Sequence, residues 1–403
     1  MAIIVQKYGG SSVADVDKLL LIAKKISEEK KSGNDVVVVV SAMGKSTDLL
    51  IDLAKSIFKN PQMREMDMLL SVGERTTMSL LCMALNDLGV DSISLTGSQA
   101  GIITNDRHND ARVIEVRPFR VLDEIANNKV VVVGGFQGVS YKRDITTLGR
   151  GGSDTSAVAL AAALNAERCE IYSDVDGVYS ADPSLIKSAV HLPELPYEIM
   201  QEMSEAGAKV LNAQAVQFAK ESNIAIYARK SFGGKKETII RIMASGLSKG
   251  VKAIVHENQI VRISFGASEI HKKFSDLLKY SEKRQYKIKE IYFSAHELNT
   301  SNSKAGLLLS LKNILDWESS KNELRNSFDN INIEPGLGAV SLIGDGINRD
   351  SSILLSSIKL LEENKIKIFG ISTTSFRISF LLTDEIVNFS AQLFHRKWIE
   401  EIS

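Results

Sequence analysis

The stretch that decides the fold is GRGGSDTSA at residues 149–157, and it has a counterpart in KYGGSSV at residues 7–13. Both are glycine turns between an apolar run typical of a strand and a run typical of a helix. Such turns let backbone N–H groups approach phosphate oxygens without a Cβ in the way. The turns also carry charges of both signs. Lys7 in the first turn and Arg150 in the second are positive, and Asp154 in the second is negative. A site that binds phosphates beside a carboxylate needs that combination at close range.

Strand-like and helix-like runs alternate through the first part of the chain. Val36–Val40 is an unbroken run of five valines, typical of a strand buried on both faces of a parallel sheet. Further strands are predicted at 3–5, 92–95, 130–133, 171–173 and 224–227. Helices are predicted at 15–31, from Thr47, at 66–88 and at 153–166. The last helix is apolar nearly all round and is therefore expected to be buried. This alternation predicts an α/β sandwich.

The composition changes near Gly246, after which lysine, serine and asparagine become common. A domain boundary is therefore predicted at about residue 245. Beyond it, Val261–Phe265 leads into a glycine and a helix, and Val340–Ile343 does the same about eighty residues later, which indicates a weak repeat. The second copy is predicted to continue with strands at 365–369 and 376–382 and a helix from Asp384.

Bulk composition excludes several classes of protein. The 403 residues include 49 basic and 49 acidic side chains, so overall charge favours neither nucleic acid nor a membrane surface as a partner. Cys82 and Cys169 are the only cysteines, which suits a reducing compartment, makes a structural disulfide unexpected and excludes a four-cysteine zinc site. The N-terminus lacks the features of a signal peptide, and no apolar run is judged long enough to span a bilayer. A cytoplasmic protein is expected.

Four motifs together resemble the aspartokinases. KYGGSSV at 7–13 is similar to the family's Lys-Phe-Gly-Gly-Thr-Ser-Val, and SVGE at 71–74 to its Ser-x-Gly-Glu. The run from Thr147 to Val178 follows the family pattern almost throughout, and GAKVL at 207–211 matches a later block. The resemblance covers about residues 1–240 and implies the amino-acid-kinase fold.

That fold is a three-layer αβα sandwich, here expected at residues 1–245. By resemblance it is followed by α+β, ferredoxin-like modules of the ACT type. The first is expected at 246–335, with completion by the C-terminal segment left open, and the second at 336–403.

The implied reaction transfers the γ-phosphoryl of MgATP to the side-chain carboxylate of L-aspartate, giving 4-phospho-L-aspartate. This is the first step towards lysine, diaminopimelate, threonine and methionine. A carboxylate is already nucleophilic, so positioning and charge neutralisation are the task rather than base catalysis. By resemblance Lys7 neutralises the transferring phosphoryl group, Asp154 orients the active-site lysines, and magnesium is held through ATP rather than directly by side chains.

The resemblance also implies the binding residues. For aspartate they are Ser41, Thr47, Glu74, Arg150 and Ser153, with Glu74 on the α-ammonium and Arg150 on the α-carboxylate. For the nucleotide they are Lys7, Gly9, Gly10, Ser11, Ser173, Asp174, Tyr179, Asp182 and Lys209. The sequence departs from the family pattern at Ser184, where arginine is usual, and at Asn212-Ala213, where His-Pro is common. His108 matches a family position, and we interpret it as structural.

The C-terminal modules imply assembly and regulation. ACT modules pair, so a homodimer or a dimer of dimers is expected, with lysine or threonine as a candidate effector. The candidate effector residues are Gly344, Asp345, Ile347, Ser372 and Thr373. Ala267-Ser268-Glu269 and Ser351-Ser352 stand where Pro-Gly is usual. We therefore expect strong dimerisation and weak or no effector binding.

Two alternatives stay open at this point. One is another enzyme of the same fold, such as a glutamate, N-acetylglutamate or uridylate kinase. The other is a catalytically silent regulatory protein that binds amino acids through its tail. The intact Lys7, Glu74, Arg150 and Asp154 argue against the silent protein.

Overall fold

The computed structural model describes residues 1–58, 61–149, 151–242, 250–266, 270–284, 286–294, 304–314 and 317–401. The chain forms two compact units. The N-terminal unit comprises Met1–Val178, His191–Ser204 and Lys209–Gly246. The C-terminal unit comprises Tyr179–Val190, Glu205–Ala208 and Leu247–Ser403.

The first fourteen strands and seven helices run through residues 3–241. In chain order they are β1 (Ile3–Tyr8), α1 (Val16–Lys31), β2 (Asp35–Val40), α2 (Ser46–Ile57), α3 (Met63–Asp87), β3 (Ser92–Leu95), β4 (Ile102–Thr104), β5 (Val113–Val116), α4 (Phe119–Ala126), β6 (Val130–Gly134), β7 (Gln137–Ser140), β8 (Ile145–Thr147), α5 (Gly152–Ala163), β9 (Arg168–Ser173), β10 (Val178–Tyr179), β11 (His191–Leu192), β12 (Glu194–Pro196), α6 (Tyr197–Ala206), α7 (Ala213–Ser222), β13 (Ile226–Lys230) and β14 (Glu237–Arg241).

The core of the N-terminal unit is an eight-stranded sheet in the order β12-β14-β13-β9-β1-β2-β6-β3. Its neighbours are parallel except for the antiparallel pair β13 and β14. Every residue of β2 is buried, as the run of valines predicts. In the register of β1, Tyr8 lies beside Val40 of β2 and Tyr172 of β9. The carboxyl ends of these central strands therefore lie at the same edge of the sheet.

Helices cover both faces of this sheet. One face packs against α1 and α3, with Leu19, Ile22 and Leu81 in contact with alternate valines of β2. The other face packs against α5, which is buried from Gly152 to Ala161. A smaller sheet in the order β5-β4-β7-β8 lies after β3. The three-layer αβα arrangement expected from the sequence is confirmed.

Helix α3 corrects one expectation about apolar runs. Its 25 residues are long and apolar enough, by length and composition, to cross a membrane, and it is the one described helix of which this holds. Half of the most apolar 18-residue stretch of this helix is buried inside the protein. It packs on β2, β3, β6 and β8 and carries the buried acids Asp67 and Glu74. These contacts are those of a core helix, which passes the same test of composition as a membrane span.

The C-terminal unit contains the remaining elements. They are β15 (Gly250–Gly266), α8 (Ile270–Lys283), β16 (Ile288–Ser294), β17 (Lys304–Ser310), a 3₁₀ turn (Leu311–Asn313), α9 (Trp317–Ser327), β18 (Asn332–Asp345), α10 (Ser352–Glu363), β19 (Gly370–Thr373), β20 (Arg377–Thr383), a 3₁₀ turn (Asp384–Ile386), α11 (Val387–His395) and a π-helical turn (Arg396–Glu400).

These strands form one antiparallel sheet in the order β16-β17-β15-β18-β20-β19. It consists of two overlapping four-stranded sets that share the long strands β15 and β18. One set packs on α8 and α9 through Leu277 and Leu324, and the other packs on α10 and α11 through Leu361 and Phe394. Each set with its two helices has the ferredoxin-like α+β arrangement.

The strand predicted at Lys365–Phe369 is wrong, since the strand lies at Gly370–Thr373. Lys365 takes the left-handed conformation, with φ of 57°. The next N–H, that of Ile366, returns to the carbonyl of Leu361 at 2.9 Å and ends α10. Residues that the β-branched pattern assigns to a strand are thus used to terminate a helix.

Candidate active site

The first glycine turn leaves the eight-stranded sheet at the end of β1, whereas the second follows β8 of the smaller sheet and leads into α5. Where β1 ends, Gly9 donates its N–H to the carbonyl of Tyr172 at 3.1 Å, and Ser41 donates to the carbonyl of Tyr8 at 3.1 Å. Gly135 donates in the same way to Val40 at 2.9 Å. The loops after β1, β2 and β6 are thereby held against their neighbours at the point where parallel α/β sheets bind ligands.

Lys7 and Asp154 meet across this edge. Lys7 Nζ lies 2.7 Å from Asp154 Oδ1, and the two side chains are only 12% and 9% exposed. The atoms are at ion-pair distance without the alignment of a hydrogen bond. Asp154 occupies the first turn of α5, after Gly151, whose φ is 78°. The two turns that the sequence singled out therefore contribute to a single buried pair of charges.

The first glycine turn is too narrow for side chains. A Cβ on Gly10 would lie 2.9 Å from the carbonyl oxygen of Ala42. A Cβ on Gly9 would lie 3.4 Å from Lys7 Nζ, so the lysine passes directly over this residue. Gly44 donates its N–H to the carbonyl of Gly10 at 3.1 Å. The turn is thus fixed by the loop after β2 and leaves its backbone beside the ammonium group.

Glu74 is a buried carboxyl group on α3. Its Oε1 accepts the N–H of Ala42 at 3.2 Å, and its Oε2 is buried with no hydrogen-bond partner among the described residues. Burial raises the pKa of Glu74 to about 7, and the N–H of Ala42 offsets this only in part. Gly73 brings α3 close, because a Cβ there would lie 2.7 Å from Ala42 Cβ. A half-satisfied carboxyl of this kind is suited to a cationic ligand.

The other expected aspartate residues are placed as follows. Ser153 is buried, and its Oγ would lie 2.9 Å from a Cβ on Gly135, so it lies at the end of β6. Ser41 follows β2, and Thr47 lies in the first turn of α2; both are partly buried. Arg150 lies outside the described residues.

The expected nucleotide residues divide between the two units. Ser173 ends β9, and Ser11, Asp174 and Lys209 are exposed in the N-terminal unit. Tyr179 and Asp182 belong to the C-terminal unit.

Two departures from the family pattern have visible consequences. Ser184, in place of the usual arginine, donates its Oγ to Asp182 Oδ1 at 2.6 Å and so folds back on its own loop. Asn212, in place of the common histidine, caps α7 by accepting the N–H of Gln214 at 2.8 Å. Asn212 also lies against Gly151, where a Cβ would come within 2.5 Å of its Nδ2. The asparagine therefore restricts the second glycine turn to glycine.

His108 pairs with a buried acid. Its Nδ1 lies 2.7 Å from Asp67 Oδ2, and Asp67 also accepts from Thr147 Oγ1 at 2.5 Å and the N–H of Asn109 at 2.9 Å. Burial raises the pKa of Asp67, with these hydrogen bonds acting in the opposite direction. The described residues contain no group of three or more His, Cys, Asp or Glu side chains placed to hold a metal ion.

The candidate effector residues do not line one cavity. Asp345 lines an open depression with Arg349 and Thr374. Ser372 lines a separate cavity of about 260 Å³ and donates its Oγ to Glu290 at 2.5 Å. Ile347 is buried, and a Cβ on Gly344 would overlap the carbonyl of Gly250. Thr373 ends β19, and Ala267–Glu269 lie outside the described residues.

Sequence reasoning missed a buried polar network on the opposite face of β1. Glu170 is fully buried and accepts from Gln6 Nε2 at 2.9 Å, Arg168 Nε at 2.8 Å and Arg229 Nη1 at 2.5 Å. Burial alone would raise the pKa of Glu170, but the two guanidinium groups hold it below its usual value. The signal available in the sequence was the alternation Gln6, Tyr8 and Glu170, Tyr172 on otherwise apolar strands.

Comparison with known proteins places the chain in a family. The model of the Amino acid kinase family matches residues 2–229. The chain is 40% identical to an aspartokinase of Bacillus sp. (strain MGA3), with 98% of this chain and 97% of that protein covered. It is 38% identical to an aspartokinase of Mycolicibacterium smegmatis, with 98% and 96% covered. This chain belongs to the aspartokinases.

Solved aspartokinases share the fold. E. coli aspartokinase III in complex with aspartate and ADP superimposes with a TM-score of 0.81 at 23% identity, covering 98% of this chain and 99% of that one. The same enzyme with lysine and aspartate gives a TM-score of 0.73. The family resemblance inferred from the four motifs is confirmed, and the chain is an ATP-dependent kinase with a carboxyl acceptor. This decides against a silent regulatory protein and against the other kinases of the fold.

Proposed function

We propose that the reaction centre of this aspartokinase is built around Lys7 and Asp154. The observation that carries the proposal is their buried ion pair, 2.7 Å long, between the two glycine turns. In-line transfer from the γ-phosphate of ATP to the side-chain carboxylate of aspartate brings two anions together. Lys7 supplies the positive charge that stabilises the transferring phosphoryl group. Asp154 fixes the ammonium group of Lys7 over Gly9.

The aspartate site extends from this pair towards α3. Glu74 accepts the α-ammonium of the substrate, which provides the partner that its Oε2 lacks among the described residues. Ser41, Thr47 and Ser153 donate hydroxyl hydrogen bonds to substrate oxygens. Arg150, which the family resemblance assigns to the α-carboxylate, belongs to the same proposal on sequence grounds alone.

The nucleotide side uses the glycine turn and the loop after β9. Gly10 and Ser11 present backbone N–H groups to the phosphates, and Lys209 adds a second cation. Gly9, whose own N–H is donated to Tyr172, contributes by leaving space beside the ammonium group of Lys7. Ser173 and Asp174, followed by Tyr179 and Asp182, contact the ribose and base. With no metal-ligand cluster among the described residues, magnesium would be bound chiefly through ATP oxygens, where it neutralises phosphate charge.

We propose that the C-terminal unit contains two ACT-like modules, at 246–335 and 336–403. The first half of β15 pairs with the second half of β18, so the range 246–335 would lend a strand to the second module. These modules would form a homodimer, or a dimer of dimers, in the cytoplasm. Gly344, Asp345, Ile347, Ser372 and Thr373 remain the candidate effector residues. E. coli aspartokinase III was crystallised with lysine. Here the missing Pro-Gly turns favour weak binding of lysine or threonine. Strong inhibition by either at millimolar concentration would contradict this.

Turnover of aspartate with MgATP, trapped as the hydroxamate, tests the proposed reaction centre. Lys7→Ala should lose at least about a thousandfold in kcat, as expected when a group that stabilises the transferring phosphoryl is removed. Lys24→Ala, which removes an exposed lysine of α1, is the matched control and should retain wild-type rates. Turnover of glutamate but not aspartate, or wild-type rates in Lys7→Ala, would contradict the proposal.

A further inference from the structure

The segment Tyr179–Val190 leaves the N-terminal unit and returns to it. The chain enters the C-terminal unit after Val178 and comes back at His191. The segment carries Tyr179 and Asp182, which the proposed function places on the nucleotide. Whatever fixes this segment within the C-terminal unit therefore also fixes those two residues.

Backbone and apolar contacts secure the segment on β15 and α11. Ile254 donates its N–H to the carbonyl of Ser180 at 2.6 Å, and Ser180 donates its own N–H to Val190 at 2.8 Å. Ala181 and Ile186 are buried in the same apolar cluster as Phe394 of α11. The segment thus forms part of the packed core of the C-terminal unit.

A chain of four side chains then ties the segment to the end of α11. Ser180 Oγ lies 2.9 Å from His395 Nε2, and His395 Nδ1 lies 2.8 Å from Glu400 Oε1. Ser188 donates its Oγ to the same oxygen of Glu400 at 2.5 Å. We call Ser180, Ser188, His395 and Glu400 the C-terminal clip. It joins both ends of the segment to the last helical turns of the chain.

The hydrogen bonds of the clip have a consistent direction. Ser180 Oγ accepts the N–H of Val190 at 2.8 Å, so its own hydrogen is available for His395 Nε2. Nδ1 then carries the ring hydrogen and donates it to Glu400, so the neutral tautomer satisfies every partner. Hydrogen bonds from Ser188 and His395 lower the pKa of Glu400. The carboxylate is therefore the form that the clip uses.

The π-helical turn makes this geometry possible. Residues five apart point in different directions on an α-helix, whereas a π turn closes an i to i+5 hydrogen bond. Glu401 donates its N–H to the carbonyl of Arg396 at 3.0 Å in that pattern. The widened turn carries Glu400 back to the side of His395.

Serine, histidine and glutamate hydrogen-bonded in this order resemble the catalytic triad of a hydrolase, but these three residues are not placed to act on a substrate. Ser180 is 1% exposed and His395 is 0% exposed, so no substrate reaches the hydroxyl. A lone pair of Ser180 Oγ is already used by Val190. The role that fits these three groups is to hold the backbone rather than to react.

We propose that His395 is a positioning residue for ATP, acting through the C-terminal clip on the segment Tyr179–Val190. This proposal rests on the proposed function for its assignment of Tyr179 and Asp182 to the nucleotide. Loosening the clip weakens nucleotide binding and leaves aspartate binding, which the proposed function assigns to Glu74 and its neighbours, unchanged.

The test compares four full-length variants by the KM for ATP, the KM for aspartate, kcat, and the Kd for ADP by calorimetry. His395→Ala should raise the KM for ATP and the Kd for ADP about tenfold, the factor expected from losing one or two hydrogen bonds, with the KM for aspartate within about twofold. Glu400→Ala should act in the same direction. Glu400→Gln keeps the accepting oxygen and should restore wild-type values. Glu401→Ala, at the neighbouring exposed acid, is the control.

Equal rises in both KM values, or an unchanged KM for ATP in folded His395→Ala, would overturn the proposal. If His395→Ala does not fold, the partly exposed Glu400 gives the deciding variants. If the wild type fails to phosphorylate aspartate, the proposed function fails, but the ADP titration still decides on the clip. Loss of ADP affinity in Glu400→Ala but not Glu400→Gln supports it, and equal ADP affinity in the two overturns it.

Discussion

Glu74→Gln is expected to stabilise the protein and impair its use of aspartate. Burial raises the pKa of Glu74 from an ordinary value of 4.5 to about 7. The folded state therefore binds a proton more tightly than the unfolded state does. Protonation of Glu74 therefore makes its full contribution to the free energy of unfolding below pH 4.5, and this contribution is lost as the pH rises through 7.

The stabilisation expected for Glu74→Gln can be calculated from the raised pKa of Glu74. At about 1.4 kcal/mol per pKa unit, keeping Glu74 ionised costs about 3 kcal/mol at pH 8 and less than about 1 kcal/mol at pH 5. Glutamine keeps the oxygen that accepts from Ala42 but leaves a buried amide hydrogen without a partner, at about 1 kcal/mol. The net gain at pH 8 is about 2 kcal/mol, or on the order of 4–8 °C for a unit of this size.

Calorimetric melting without substrates at pH 5 and pH 8 measures this gain. Glu65→Gln, at an exposed acid on the same helix, is the control and should shift neither transition. In parallel, the KM of the wild type for aspartate should rise about tenfold per pH unit below pH 7, since only the carboxylate pairs with an ammonium. The KM of Glu74→Gln should be high and independent of pH. A melting temperature raised equally at both pH values, together with an unchanged KM, would refute the reasoning.

Three further substitutions have distinct expected outcomes. Lys7→Arg keeps the charge but not the point-like ammonium over Gly9, so kcat should fall about tenfold or more while circular dichroism is unchanged; a wild-type kcat would speak against a shaped contact. Gly10→Ala places a Cβ 2.9 Å from a backbone carbonyl, and should raise the KM for ATP severalfold without unfolding the protein, as measured by steady-state kinetics. Glu170→Ala removes the buried carboxylate shared by Arg168 and Arg229, which are partly buried and each keep an ion pair with a more exposed acid, so the free energy of unfolding in denaturant titrations should fall by about 3 kcal/mol; a loss below about 1 kcal/mol would show that water replaces the carboxylate.

The sheet and its main helices were predictable from local pattern. Five consecutive valines allow little other than a strand covered on both faces, and β2 is buried throughout. The run at 153–166 lacks a polar face, and α5 is buried from its first turn. Both elements can be predicted from residue type and from the spacing of apolar residues, because a segment that is apolar on every side has to be covered on every side.

The pairing of Lys7 with Asp154 could be anticipated for a different reason. Each turn is recognisable by its glycines and charges, and the family resemblance assigns both to one site, although the second turn follows β8 of the smaller sheet rather than a strand next to β1. Local sequence could not give the C-terminal clip. Ser180 and His395 are 215 positions apart, and neither carries a distinctive pattern around it. Likewise, residues 365–369 have the composition of a strand, but the hydrogen bond from Ile366 to Leu361 makes the start of this segment the C-terminal cap of α10.

Strand β1 carries buried polar groups on both of its faces, which fixes its register. Gln6 reaches the carboxylate of Glu170 on one face, while Lys7 reaches that of Asp154 on the other. A slip by one residue would exchange the two and leave the carboxylate of Asp154 opposite Gln6 without a cation, and a slip by two would move Lys7 by about 6.6 Å along the strand. Either error leaves an unpaired buried charge, which costs several kcal/mol. The network around Glu170 lies on the face of β1 opposite to Asp154, yet it constrains the strand that carries Lys7, to which we assign the stabilisation of the transferring phosphoryl group. Variants there should therefore lose kcat through a misplaced Lys7, in addition to losing stability.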